Sequence, residues 1–380
     1  MKPTKRSFIT VKKGRVLWIA TVLSLTLGSH TFADSPRIES NKNPAYAISS
    51  SDYHNVVTSS EGKVWYWGNV ADRDTVVTQG EYGPEYKLKE RDNKPEVMNN
   101  LEGIAAVSAQ YGNGDVILKK DGTVWSWGRK LNDITGKSEF PAPQKIEGLN
   151  HITKISTDYL NAALDQDGTV WVWFPYPYTN NVTRIENIQK AKDISVGHGK
   201  LHILKSDGTV WEWSGYTNDR QNESYQAVQM KELTHVTALS SGHSDHYFVI
   251  KKDGTVWGWG NNGFGSLGLK GIDTVTKPSL IKDLQQVSSI TTNDWTTVIV
   301  KKDGTAWILG AKIESESPVW NTTPEQIEGL QKVSAVTLGY NHALAVTMDG
   351  KLFAWGQNQA GQLGDATFKK SATPLPVKLQ

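Results

Sequence analysis

The sequence predicts an all-β protein, a seven-bladed β-propeller of about four-stranded blades. Three observations predict it: a hairpin motif that recurs seven times, a second strand-like segment between the copies, and no helical period anywhere.

Residues 1–33 stand apart. Lys2, Lys5, Arg6, Lys12, Lys13 and Arg15 form a basic stretch without an acidic residue, Val16 to Gly28 is apolar, and Thr31-Phe32-Ala33 offers small residues at the −3 and −1 positions before Asp34. That order is read as a secretory signal peptide, with an apolar run too short to span a bilayer comfortably. Residues 34–380 are then one exported domain, secreted or held in the cell envelope, with no membrane insertion after cleavage. The leader carries six of the 41 basic residues and none of the 39 acidic ones, which leaves residues 34–380 at a net charge of −4. A mildly acidic chain lacks the basic stripe that neutralises phosphates, so no nucleic acid is expected. The chain has no cysteine, which excludes disulfides, thiolate metal sites and cysteine nucleophiles.

The hairpin motif is "EGKVWYWG" at 61–68. It recurs as "DGTVWSWG" (121–128), "DGTVWVWF" (167–174), "DGTVWEWS" (207–214), "DGTVWGWG" (253–260), "DGTAWILG" (303–310) and "DGKLFAWG" (349–356). Asp-Gly is a hairpin turn, because Gly accepts positive φ and Asp bonds locally. The Val-Trp-x-Trp that follows alternates as a strand does, and an apolar run such as "YFVIKK" (247–252) precedes each turn.

The second segment reads "PEVMNNL" (95–101), "PQKIEGL" (143–149), "VTRIENI" (182–188), "AVQMKEL" (227–233), "PSLIKDL" (278–284) and "PEQIEGL" (324–330), each followed by a short strand. Four strands in each repeat of 40 to 60 residues fit a propeller blade. The first hairpin has no such segment before it, and the chain finishes on one, "PLPVKLQ" (374–380), with no hairpin after it. The ring is therefore expected to close by the C-terminal strand completing the N-terminal blade, which hides the open edges.

Gly263-Phe264-Gly265-Ser266-Leu267-Gly268 spells the G-x-G-x-x-G of dinucleotide-binding loops. Its sibling "WGQNQAGQLG" (355–364) has Gln359 where the first glycine should be, and a strand follows rather than a helix. The run is read as a blade-to-blade turn. No cofactor and no metal are expected.

These repeats resemble those of the regulator of chromosome condensation family, most clearly in "GYNHALAVTMDGKLFAWGQNQAGQLG" (339–364), and the resemblance covers about Asn43 to Gln380. It implies a seven-bladed propeller. The family's founding member is a nuclear exchange factor that binds chromatin, a setting at odds with a leader and an acidic chain. Secreted bacterial members, including β-lactamase inhibitory proteins of propeller type, are nearer in setting and imply a cradle of loops that grips another protein.

No G-x-S-x-G, H-E-x-x-H or P-loop motif is present, and "DQDG" (165–168) lacks the remaining ligands of a calcium loop. His198, His202, His243 and His246 suggest a metal cluster, but His54, His246 and His342 all lie seven residues before their own turns and read as structural. The paired tryptophans, two apart on one strand face, are expected to pack between blades rather than serve as a sugar platform.

Trp295 falls outside that register, eight residues before Asp303. The same offset holds Tyr53, Asn113, Tyr159, Gly199, Asp245 and Asn341. The repeat places them equivalently, so they are expected on one face, and large aromatics beside Asp and Asn suit a protein-binding hot spot. The expected function is a monomeric, non-catalytic binding scaffold whose partner site comprises Tyr53, Asn113, Tyr159, Asp245, Trp295 and Asn341. The alternatives are a carbohydrate or cell-wall binding module, or an inhibitor of a secreted hydrolase such as a β-lactamase.

Overall fold

A computed structural model describes residues 46–51, 53–68, 76–80, 83–87, 93–98, 101–109, 115–127, 130–131, 138–139, 143–174, 181–214, 226–313 and 320–379. The strands form seven four-stranded antiparallel sheets, the blades of a β-propeller, with inner strands lying side by side and blade 1 meeting blade 7. Blade 1 comprises Tyr46–Ser50, His54–Ser59, Val64–Gly68 and Glu96–Val97. Blade 7 comprises Val333–Leu338, His342–Thr347, Leu352–Gly356 and Ser371–Val377. Two small hairpins, Val76–Gly80 with Gly83–Lys87 and Lys130–Leu131 with Ser138–Glu139, are set into the third connections of blades 1 and 2.

Ring closure differs from the sequence expectation. The C-terminal strand pairs with Leu352–Gly356 of its own blade, Gly356 opposite Ser371, and blade 1 owns an outer strand in which Val97 faces Trp65. The Pro-led segments are the outer strands of the blades before them, so every blade is contiguous in the chain. A hairpin strand takes its nearest available neighbour in sequence, and the segment just downstream reaches the free edge with a short connection. The run Asn262–Asp273 likewise links the third and outer strands of blade 5, rather than one blade to the next. Its Asn262 amide bonds the Leu269 and Ile272 carbonyls (both 2.6 Å) and accepts the Leu267 N–H (2.9 Å). The loop does lean across onto the next blade, where Leu267 is buried beside Leu309.

Hydrophobic packing between sheets supplies most of the core. At the seam, Ile48, Val57, Trp65 and Trp67 of blade 1 meet Leu344, Val346, Leu352 and Leu363 of blade 7. A belt of hydroxyls near the ring's centre adds hydrogen bonds at every blade junction. Ser49 accepts the Ala109 N–H (3.0 Å), Ser108 meets Thr157 (2.8 Å), and Ser156 accepts the Val196 N–H (2.9 Å). Ser241 reaches His202 (3.4 Å), His246 bonds Thr292, Thr291 donates to the Val336 carbonyl (3.0 Å), and Thr337 accepts the Ser50 N–H (3.1 Å). Each bond satisfies a polar group that burial would otherwise leave costly.

The tryptophan pairs divide their labour. The second indole of a pair is buried in blades 1, 3, 4 and 5 (Trp67, Trp173, Trp213, Trp259) and half-buried in blade 2 (Trp127). The first is half-exposed in blades 2 to 5 and is held by its own turn. In blade 6, Trp307 Nε1–H donates to Thr305 Oγ1 (2.9 Å), Thr305 donates to Asp303 (2.7 Å), and Lys301 lies over the ring at 3.8 Å.

Candidate functional site

An antiparallel four-stranded blade puts its first and third connections at one end and the hairpin turn at the other. The described residues eight before each turn sit in the first connections, ahead of the second strand, and so lie at a common end of the ring. Their backbone is fixed by a repeated contact. The carbonyls of Asp245, Trp295 and Asn341 accept the N–H groups of Asn261 (2.8 Å), Ala311 (2.8 Å) and Gln357 (2.7 Å). The glycine just before each of these donors has positive φ, and in Gly310 a Cβ would fall 2.1 Å from the Trp295 oxygen. The Trp-Gly or Leu-Gly that ends the motif thus exists to let the loop carbonyl approach.

Two groups of side chains form on this end. The first is a row of rings across blades 5 to 7. Trp295 packs against Phe264 (5.9 Å between centroids) and Tyr340 (4.7 Å), and Phe264 meets Trp320 edge-on at 5.2 Å. Trp320 is 46% exposed, and the other three rings are half-buried. The rings come from the first connections of blades 6 and 7, the third connection of blade 5 and the start of the outer strand of blade 6.

The second group is polar and spans blades 3 to 6. The Asp158 carboxylate accepts from His243 Nδ1 (2.8 Å) and from the His198 backbone N–H (2.6 Å). His243 Nε2 stands 3.1 Å from the Tyr159 hydroxyl, and His198 Nδ1 donates to the His243 carbonyl (2.7 Å). Nearby, Ser244 donates to Asp294 (3.0 Å), whose carboxyl is pushed above its ordinary range by burial despite the opposing influence of His243. Asp245 receives Lys200 Nζ (3.0 Å) and the Tyr247 hydroxyl (2.7 Å). Burial raises its carboxyl, but those two bonds outweigh it and hold it below the usual value.

The expected residues therefore share an end but not a single cluster. Tyr159 joins the polar group, Trp295 centres the aromatic row, and Asp245 is engaged by Lys200 and Tyr247. Tyr53, 39% exposed, stands at the equivalent place in blade 1, and Asn341 is half-buried. Gly199 is buried, and Asn113 lies outside the described residues. The four histidines separate: His202 and His246 are buried between blades, whereas His198 and His243 meet Tyr159. Sequence reasoning missed Asp158, His198, Asp294 and Tyr340 as partners of the site. Each lies one residue before the offset already marked, so the neighbouring column of the same repeat carries the signal.

Residues 236–266 and 333–362 match one profile of the regulator of chromosome condensation (RCC1) repeat, and residues 253–300 and 349–380 match a second. Those parts of the chain carry RCC1 repeats. This RCC1-repeat chain is 26% identical over 354 residues to the E3 ubiquitin-protein ligase HERC2 of Mus musculus, a match covering 83% of the chain and 7% of HERC2. It is 25% identical over 312 residues to protein pim1 of Schizosaccharomyces pombe, covering 65% of the chain and 58% of pim1. The chain thus spans a small part of HERC2 and less than two thirds of pim1. The propeller superposes on yeast RCC1 (Prp20), solved bound to Kap60, with a TM-score of 0.67 at 18% identity over 99% of this chain and 91% of that one. It superposes on human WBSCR16 with a TM-score of 0.62 at 19% identity, over 80% and 89% of the two chains. At such identities the structural likeness speaks for the fold.

Proposed function

We propose that this RCC1-repeat propeller is an exported, non-catalytic binding scaffold that takes a protein partner on the end carrying the first and third connections of its blades. One observation carries the reading: Tyr53, Tyr159, Trp295, Phe264 and Tyr340 on loops of that end, and Trp320 at a strand start beside them, are all at least partly exposed. Two of the loops that carry these rings, those of Trp295 and Tyr340, hold a residue whose carbonyl is tied to the end of the third strand. Large rings on a rigid frame bury area at little entropic cost, which is what interface hot spots require. The neighbour solved bound to Kap60 offers a precedent for a protein partner on this fold. The acidic balance of residues 34–380 and the leader-like N-terminus support an exported setting, in which a secreted hydrolase is a narrower choice of partner.

The test is affinity capture from secreted and envelope fractions with residues 34–380 as bait, beside a Tyr53→Ala, Tyr159→Ala, Trp295→Ala triple variant. A protein retained by the parent chain and lost with the variant is the expected result. Retention unchanged in the variant would remove this end from the interface. Binding of purified glycans with no protein retained would replace the reading with the carbohydrate-binding one.

A further inference from the structure

The polar group around Tyr159 contains a geometry that partner binding does not call for. Tyr159 is 37% exposed, while His243 and Asp158 behind it are buried. An ionised carboxylate can only accept, so in the neutral tautomer that Asp158 selects the His243 proton sits on Nδ1 and Nε2 is left to accept. The Tyr159 hydroxyl at 3.1 Å then donates to Nε2. The order is hydroxyl, imidazole, buried carboxylate, supplied by the first connections of blades 3 and 5. A nucleophile within hydrogen-bond reach of a base, itself oriented by a third group, is the arrangement by which a weak nucleophile is activated. The backbone of His243 is held as well, because its carbonyl accepts His198 Nδ1 at 2.7 Å.

We propose that Tyr159 is a base-assisted nucleophile, a modification site that takes an acyl group from an activated ester. In the step, the Tyr159 O–H bond breaks and its proton passes to His243 Nε2, while the phenolic oxygen forms a bond to the acyl carbon. The ester's C–O bond breaks, and the departing oxygen takes the proton from His243. The products are an O-acyl tyrosine and an alcohol or phenol, with no oxidant or second reactant needed. Two other tyrosines supply contrast. Tyr247 is buried and donates to a carboxylate, and burial together with Asp245 pushes its phenol far up, so it does not react. Tyr53 occupies the equivalent loop position of blade 1 at nearly the same exposure, 39%, and is the reference for an exposed phenol.

The experiment treats the purified chain with p-nitrophenyl acetate and follows acetylation of each tyrosine by peptide mass spectrometry. General-base assistance contributes about 10²–10⁴-fold, so Tyr159 is expected to acetylate at least about tenfold faster than Tyr53. His243→Gln keeps a hydrogen-bond acceptor but no base, and brings Tyr159 down to the Tyr53 rate, with an unchanged melting temperature as the folding control. Equal rates at Tyr159 and Tyr53 in the unsubstituted chain would overturn the proposal without recourse to any variant. So would a folded His243→Gln chain that acetylates as fast as the parent. The result is independent of affinity capture, since the reagent needs no protein partner.

Discussion

His342 Nε2 lies 3.0 Å from Asn55 Oδ1, which joins blade 7 to blade 1 across 287 residues of chain. Asn55 is fully buried, accepts the Ser50 hydroxyl on the same oxygen (2.6 Å) and donates its amide to the Gln362 carbonyl (2.7 Å). One side chain thus holds both sides of the junction where the ring meets itself. No strand is exchanged there, so the seam depends on such bonds and on side-chain packing. Replacing Asn55 by Ala removes these hydrogen bonds and leaves buried partners unpaired, an expected cost of about 2–4 kcal/mol. Urea unfolding measures it. A cost within about 0.5 kcal/mol of zero would mean that the seam is held by its apolar contacts alone.

How the ring closes is also where sequence reading went furthest astray. The seven hairpins were legible because Asp-Gly and Val-Trp-x-Trp are local signals, each decided within a single turn and the strand after it. The partner of the Pro-led strands is a tertiary matter. Glu96–Val97 pairs with Trp65 and Tyr66 across a connection that includes a small hairpin, and nothing in the letters says whether such a segment looks back or forward. For the candidate site, the shared offset from the turn found Tyr159 and Trp295 because it marks a repeated backbone position. It could not find that His243 meets Tyr159 and Asp158, since those contacts join blades 3 and 5 and depend on the ring's curvature.

The glycine ending the third strand of blade 6 gives a second prediction. Gly310 has a φ of 79°, and an added Cβ would meet the Trp295 carbonyl oxygen, backbone against backbone. Gly310→Ala is therefore expected to lose about 2–4 kcal/mol, from positive-φ strain and displacement of the loop. The displacement also moves Trp295 away from Tyr340. Trp295→Ala leaves the backbone alone and should cost far less stability, so the two variants separate frame from surface. Thermal unfolding of both, with near-ultraviolet circular dichroism to follow the ring row, is the check.

The paired tryptophans predict unequal losses from equal substitutions. Trp67 is fully buried in the seam and donates its indole N–H to the Gln362 carbonyl at 3.0 Å. Trp307 is half-exposed, with Lys301 over one face and Thr305 taking its N–H. Trp67→Ala should cost about 3–5 kcal/mol, as large core truncations do. Trp307→Ala forfeits a partly exposed contact and a cation–π pair and should cost about 1–2 kcal/mol. Denaturant midpoints for the two variants decide the point. Equal losses would contradict the division of labour between the first and second indoles.

Acid should destabilise the propeller in two separate stages. His246 is wholly buried, and burial lowers its imidazole from an ordinary 6.5 to about 4. The folded chain binds that proton less readily than the unfolded one. Its contribution is therefore complete above about pH 6.5 and is lost as pH falls through about 4, a loss of about 3 kcal/mol. The second stage belongs to the turns. The Thr hydroxyl two residues on holds each of Asp121, Asp207, Asp253 and Asp303 below the usual carboxylate value, and Lys351 with Thr347 takes Asp349 down to about 2. A depressed carboxyl contributes fully above its unfolded value, about 3.9, and loses that contribution as pH falls through the folded one. Melting temperatures measured from about pH 7 to about pH 2 should show a first decline that His246→Gln abolishes. The Thr-to-Asp bonds of the turns govern the second, so Thr305→Ala beside Asp303 should shrink only the decline below about pH 4. If His246→Gln left the upper decline intact, another buried group would have to own it.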